Sequence, residues 1–588
     1  MRDAQPARSR RPQGTNGPTL GDVRDAVAVS DTLSPIRIRD LNSAVSCFCS
    51  LIDCKPHDVP LDLTMIGERL NAINPVAVGI SPKRLANIRS DLLAAVAASK
   101  LKAVKRLPKK LTAPWNALRR KLKTKGHRIG LSRFCHYASA AGVAPTDVDD
   151  AVIEAFMAWV HENALHRKPN ELHRQTAMIW NKVAAEQPEL ELQLVTLPSF
   201  RAPPRRIDWE SLPGSFTDDV QAYLDWCACT DPFAVGARSY PLAASTLKLR
   251  RAEIHAAVTA LVESGIETAT ITGLADLVTV EHFTRIARQR LAMAEGKPNA
   301  FNHGQAKALV QIARDWIKTD DAALTELNRL AGRVPAPCAG LTEKSKLSMR
   351  QFDDPQVLPR LMSLPRTLWS QVKREKAWNF RTLAVLQAAL AQEILTYMPL
   401  RISNLAALTF DQHLFLRDNP GAVSSLEIAA EEVKNKQPIA FDLPPHLARM
   451  LIEYRDHIAP KIIGRKPDRL FVNPDGRPKH PQTLSKLIQR VIRKHTGIEI
   501  SAHQFRHLAA KIILDASPGA FELVKQLLGH QNLKTTVNAY AGIDTRRAAR
   551  HHARLLEKML EDQASSLRGP GSKRRRRAKT SKNKKPRD

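Results

Sequence analysis

Six residues in the last third of this 588-residue chain have types and an order suited to chemistry on a phosphodiester. Arg401 lies in YMPLRISNLAALTF, Lys434 in EEVKNKQ, and His503 and Arg506 in AHQFRH, while His530 and Tyr540 stand ten residues apart in LGHQNLKTTVNAY. A phosphodiester attacked in line develops negative charge on its non-bridging oxygens. Two guanidinium forks can stabilise that charge without a metal. A tyrosine hydroxyl can be the nucleophile, giving a covalent phosphotyrosine. A histidine can take its proton, and a lysine at a loop tip can protonate the leaving 5′ oxygen. Tyr540 is the only tyrosine after Tyr454. Lys436 lies two residues beyond Lys434, and either ammonium could reach a phosphate. Lys434 is favoured because it directly ends the first strand expected there.

These residues need elements to place them. WNFRTLAVLQAALAQEILTYMPLR reads as a long helix leading to Arg401. SSLEIAAEEV, then KNKQ, then PIAFDLP reads as a hairpin of two or three short strands with its turn at Lys434–Gln437. HLARMLIEYRDHIAPKI, PQTLSKLIQRVIRKHTG, AHQFRHLAAKIILDAS and GAFELVKQLLGH read as helices, and His503 and Arg506, three apart, share a helix face. Upstream, AVIEAFMAWVHENAL, HRQTAMIWNKVAAEQ, LKLRRAEIHAAVTALVESG and VEHFTRIARQRLAMAEG are helical too, with Trp115, Trp159 and Trp180 as core anchors. Pro-rich breaks at Leu197–Pro204 and Val334–Gly340 divide the chain. The expected organisation is a flexible leader (1–20), a helical domain (21–200), a second helical domain (205–335), a mostly α domain with one small antiparallel sheet (350–563) and a basic tail (564–588). The fold class is mainly α.

Hydrophobic residues make up 43% and charged residues 25%, which excludes a wholly disordered chain or a disulfide framework and leaves room for roughly three to five domains. No window suits a membrane span and the start has no secretory core, so no membrane partner is expected. Seven cysteines suggest reduced thiols in the cytoplasm. Lys and Arg number 90 against 58 acids, an excess of +32 that points to nucleic acid. Lys100–Arg128 carries twelve Lys/Arg and no acid, and reads as one or two basic amphipathic helices broken at Pro108 and Pro114. Arg568–Asp588 carries eleven Lys/Arg and one acid, and reads as a disordered phosphate-contacting arm. Cys47, Cys49, Cys54 and His57 match no common zinc spacing and read as small buried thiols beside a histidine, as do Cys227 and Cys229. No P-loop, dinucleotide fingerprint or carboxylate cluster for two metals is present, so no cofactor is expected.

The order of LRISNLAAL, a Lys-bearing β-turn, the box His503-x-x-Arg506-His507, and LGH followed by TT and Tyr540 resembles the tyrosine recombinases, or phage-type integrases. The resemblance spans about residues 375–545. The helical regions upstream look similar, more weakly, to the family's core-binding domains. It implies that Arg401 and Arg506 clamp the scissile phosphate, Lys434 is the general acid, His503 is a base or phosphate ligand, His530 bonds the phosphate, and Tyr540 is the nucleophile. It further implies a site-specific DNA recombinase or integrase of a mobile element, working through a 3′-phosphotyrosine without ATP or metal. Double-stranded DNA would be the partner. The assembly would be a homo-tetramer or a hetero-assembly with related recombinases, nucleoid-associated in the cytoplasm, with Thr545–Gln563 swapped between subunits. Three departures stand out: Asn404 replaces the acid usually found three after the first arginine, Met398-Pro399-Leu400 lacks the usual glycine, and the His530–Tyr540 gap is ten rather than nine. Two rivals follow, a topoisomerase IB-like relaxing enzyme and a DNA-binding relative whose pocket has decayed.

Overall fold

The computed structural model describes residues 17–540 apart from 167, 201–205, 232, 234, 235, 237, 338, 339, 376, 418–421, 535, 538 and 539, and also residues 552, 553 and 555–560. The 564–588 tail and most of the leader lie outside the described residues. Of the expected Thr545–Gln563 helix, 552, 553 and 555–560 are described, and they are helical. The chain divides into two compact units, Arg201–Thr342 and the remainder. The described residues are mainly helical, with one three-stranded sheet among them. Among the described residues no helix is long and apolar enough to cross a membrane.

In the Arg201–Thr342 unit, the C-terminal half of Ala244–Glu263 is buried, and the helix packs against Gly214–Ala228, Val280–Met293 and Ala300–Ile312. In the larger unit, residues 20–104 build one core and residues 111–195 another. Thr19 caps the Leu20–Ala28 helix through a capping box with Asp22. The basic stretch departs from expectation. Residues 101–112 are not helical, and the helices are Ala113–Lys121 and Lys125–Gly130. Pro114 opens a helix rather than breaking one, because a first-turn residue needs no amide donor. Trp115, Leu118 and Leu122 turn inward while Arg120, Lys121, Lys123, Lys125 and Arg128 are exposed. Trp115 and Trp180 are fully buried and Trp159 half-buried. Trp115 packs edge-on to Phe134 and donates its indole N–H to Val143 O at 2.7 Å.

The third core holds the site. Phe380–Tyr397 is apolar on nearly every face and buried among Val357–Lys373, Pro445–Glu453 and Pro481–Thr496. Its buried amides reach across to neighbouring elements: Gln387 Nε2 donates to Tyr454 Oη at 2.9 Å and Val472 O at 3.0 Å while its Oε1 is left without a partner among the described residues, and Gln392 donates to Leu361 O at 2.6 Å. Strands β1 (Leu414–Phe415), β2 (Ser425–Ile428) and β3 (Ile439–Asp442) form an antiparallel sheet in that order, with Leu426 opposite Phe441 and Ile428 opposite Ile439. The strand expected to run to Lys434 ends at Ile428, and a single 3₁₀ turn, Ala430–Glu432, intervenes. Helix Gln504–Ala516 is pinned by Lys511, whose ammonium reaches Asp353 at 2.7 Å and Asp515 at 3.2 Å.

Trp115→Ala removes the indole at the centre of the 111–195 core and leaves the Val143 carbonyl unpaired. A loss of about 3–5 kcal/mol is expected, seen as a lower urea midpoint for that region. An unchanged midpoint would refute this account of the core.

Candidate active site

Arg506 sits in the first turn of Gln504–Ala516 with 6% of its surface exposed. Two of its five N–H donors are spent on backbone carbonyls: Nη1 on Pro399 O at 2.6 Å and Nη2 on Leu528 O at 2.5 Å. The first carbonyl follows the end of Phe380–Tyr397, and the second is the last of the Phe521–Leu528 helix, where the helix dipole is negative. Burial, helped by the nearby Arg401 charge and opposed by Tyr540, lowers the Arg506 pKa to about 10, so it stays cationic at neutral pH. Arg401 caps the start of Ile402–Ala407 and is half-buried. Its Nη1 donates to Asn435 Oδ1 at 3.1 Å. Asn404 plays no part in that contact; it is buried and accepts from Ser403 Oγ at 3.3 Å.

The histidines gather round the arginines. His503 is the N-cap residue of the Arg506 helix, and its ring meets that of His507 with centroids 5.0 Å apart, one turn along. The Tyr540 hydroxyl lies 3.0 Å from His507 Nδ1, and the rings meet edge-on. With the ring proton on Nε2, the hydroxyl donates to Nδ1. His530 Nδ1 is 2.9 Å from Thr536 Oγ1. Burial depresses the pKa of all three imidazoles, and neighbouring positive charge adds to it. Arg506 and Arg401 act on His503 and His530. His507 falls to about 4. His503 is exposed at its surface, and its pKa is lowered first by burial and then by the Arg506 and Arg401 charges. Burial lifts Tyr540 to about 12, with Arg506 pulling the other way. Near neutral pH the cluster therefore has cationic arginines, neutral imidazoles and a protonated phenol.

Five of the six expected residues thus lie in one electrostatic cluster: Arg401, His503, Arg506, His530 and Tyr540. Lys434 is exposed on the turn that joins β2 to β3, beside Asn435, and among the described residues makes no hydrogen bond. The turn is closed by Lys436 N donating to Val433 O at 2.8 Å, and the Lys436 ammonium donates to Glu431 O at 3.2 Å. The argument that Lys434 directly ends a strand fails, because β2 stops six residues earlier. Two site residues escaped sequence reasoning. His507 carried a signal, as the neighbour of Arg506 and four residues past His503. Asn435 carried none beyond its place between two lysines. Elsewhere, His57 faces Asp22 at 3.8 Å and Asp25 at 3.6 Å rather than cysteines, and among the described residues no His/Cys/Asp/Glu cluster could hold a metal.

The site geometry lies within a recognised family segment. Residues 358–547 match the phage integrase family, so that segment is a tyrosine recombinase domain. Within this class, 131 residues, 21% of the chain, are 34% identical to a protein of Pseudomonas aeruginosa named tyrosine recombinase XerC. The match covers 30% of that relative, so the chain spans under a third of its length. Among solved structures, the XerH site-specific recombinase bound to a palindromic difH substrate after cleavage is 14% identical, with 53% of this chain and 79% of that one covered at a TM-score of 0.34. Lambda integrase bound to DNA is 15% identical, with 55% and 96% covered at a TM-score of 0.32.

The depressed imidazole pKa values make the site acid-labile. A histidine at 6.5 when unfolded and lower when folded contributes stability that is complete above about 6.5. That contribution is lost as pH falls toward the folded value, at up to about 1.4 kcal/mol per pH unit per group. Unfolding of this unit should shift to lower urea between about pH 6.5 and 4, and less so in His507→Gln. Equal pH dependence in the two proteins would contradict a depressed His507.

Proposed function

We propose that this chain is a DNA breaking-and-rejoining enzyme that recombines specific sites in double-stranded DNA, with Tyr540 as nucleophile. The observation carrying this reading is the Tyr540 hydroxyl 3.0 Å from a neutral His507 nitrogen beside the buried Arg506. In the proposed step the Tyr540 oxygen bonds to phosphorus, its proton passes to His507, and the P–O5′ bond breaks. The 5′ oxygen leaves with a proton from lysine, and a 3′-phosphotyrosine keeps the bond energy for rejoining. This moves the proton acceptor from His503 to His507, which is the imidazole bonded to the hydroxyl; His503 and His530 are left to bond the phosphate. The free donors of Arg401 and Arg506 would stabilise the developing charge. Lys434 is the proposed acid because the Lys436 ammonium is already engaged by Glu431 O.

The exposed cations of Ala113–Lys121 and Lys125–Gly130 support phosphate contacts by the larger unit, and the Arg201–Thr342 unit is proposed to share in gripping the duplex. A homo-tetramer, or an assembly with related recombinases, acting for a mobile element in the cytoplasm completes the proposal.

The test is suicide-substrate trapping: nicked DNA with candidate sites is incubated with the protein in EDTA and run on a denaturing gel. A protein–DNA adduct that vanishes in Tyr540→Phe is expected. An adduct that persists in Tyr540→Phe overturns the nucleophile. His507→Gln should slow adduct formation about a hundredfold or more. Its rate should also climb with pH, about tenfold per unit, because a phenol at about 12 must then ionise unaided. A flat pH profile in that variant would remove His507 from the proton path.

A further inference from the structure

We propose that Asn435 is the positioning residue that holds Arg401 and hangs both arginines from one helix end. This rests on the strand-cleaving reading of the site. Asn404, three residues past Arg401, accepts from Ser403 and does not meet the guanidinium. The Arg401 guanidinium is met from a different element. Asn435 Oδ1, on the β2–β3 turn, accepts from Nη1 at 3.1 Å. The other end of the same amide donates to Gly529 O, and Gln531 Nε2 returns a bond to Asn435 O at 2.9 Å. Leu528 O, the preceding carbonyl, already takes Arg506 Nη2. Two consecutive carbonyls at the end of Phe521–Leu528 therefore fix Arg506 directly and Arg401 through Asn435.

A side-chain amide suits this position and a carboxylate does not. It must accept from a cation on one side and donate to a carbonyl on the other, and a carboxylate cannot donate. Gly529 belongs to the device as well. Its φ is +58°, and a Cβ there would lie 3.6 Å from Asn435 Nδ2, so the carbonyl is presented from a left-handed residue. The arrangement also ties the turn bearing Lys434 to the segment leading to His530 and Tyr540. The proposed acid and the nucleophile are thereby held in one frame.

The test compares single-turnover cleavage by wild type, Asn435→Ala and Asn435→Asp on two suicide substrates. One has a normal scissile phosphate; in the other a methyl group replaces a non-bridging oxygen and removes its charge. Asn435→Ala should cleave the normal substrate about tenfold to a hundredfold more slowly, with duplex affinity kept. The deficit should shrink on the methylphosphonate, which needs less help from Arg401. A merely structural defect would slow both substrates equally. Equal slowing, or a wild-type rate, overturns the proposal. Should Asn435→Ala fail to fold, Asn435→Asp, which keeps an oxygen for Arg401 but cannot donate to Gly529, gives the same comparison. A wild type that forms no Tyr540-dependent adduct overturns the strand-cleaving reading itself. A wild-type adduct with an unimpaired Asn435 variant overturns only the role of Asn435.

Discussion

A guanidinium buried without a carboxylate partner is the constraint on which this site depends. Arg506 could have been neutralised cheaply by an Asp or Glu. Instead it is held by the carbonyls of Pro399 and Leu528, and among the described residues no acid pairs with it. Carbonyl dipoles satisfy the N–H groups but leave the charge uncancelled. Arg401 follows the same rule, with an amide in place of a carbonyl. The pocket therefore keeps two positive charges with no carboxylate of this chain paired to either among the described residues. The cost of burying them appears in the depressed Arg506 and histidine pKa values.

That constraint makes demands on remote elements. Pro399 and Leu528 must each stand within hydrogen-bond reach of one side chain, so the ends of Phe380–Tyr397 and Phe521–Leu528 are fixed relative to Gln504–Ala516. The first helix is held by being buried on nearly all faces, and the third is pinned by Lys511 between Asp353 and Asp515. The missing glycine before Arg401 is understandable in this light. Pro399 contributes its carbonyl, which proline supplies as well as any residue, while its locked φ stiffens the bend. Across the ten-residue gap from His530, the Tyr540 hydroxyl lies 3.0 Å from His507 Nδ1.

How far the sequence disclosed this depends on which residues carried a local signal. The helices around Arg401, Arg506 and Leu528 were legible because their apolar periodicity is strong, and the sheet because turn residues interrupt alternating apolar ones. The end of β2 was not legible: AAEEV continues an apolar–polar pattern, yet the chain coils into a 3₁₀ turn at Ala430–Glu432. The same local ambiguity misplaced Pro114, since a proline inside a helix and one opening a helix look alike until the amide bonds are known. His507 lay in plain view but was read as part of a box, because pairing with a tyrosine 33 residues away is a tertiary fact. Asn435 was invisible for the same reason, with its partners 34 residues before it and 94 after.

The histidines close the argument. An imidazole near its ordinary pKa is partly protonated at neutral pH, whereas one depressed to about 4 is wholly neutral, though a weaker base. Burial first, then His503, Arg506 and His530, keep His507 neutral, and its Nδ1 is free to accept from the Tyr540 hydroxyl. The same burial raises the phenol, so in the proposed reaction Tyr540 needs an acceptor for its proton, and His507 is the neutral nitrogen within reach of it. A single carboxylate against Arg506 would undo the arrangement, since it would cancel the charge proposed to bind phosphate and raise the histidine toward its protonated form.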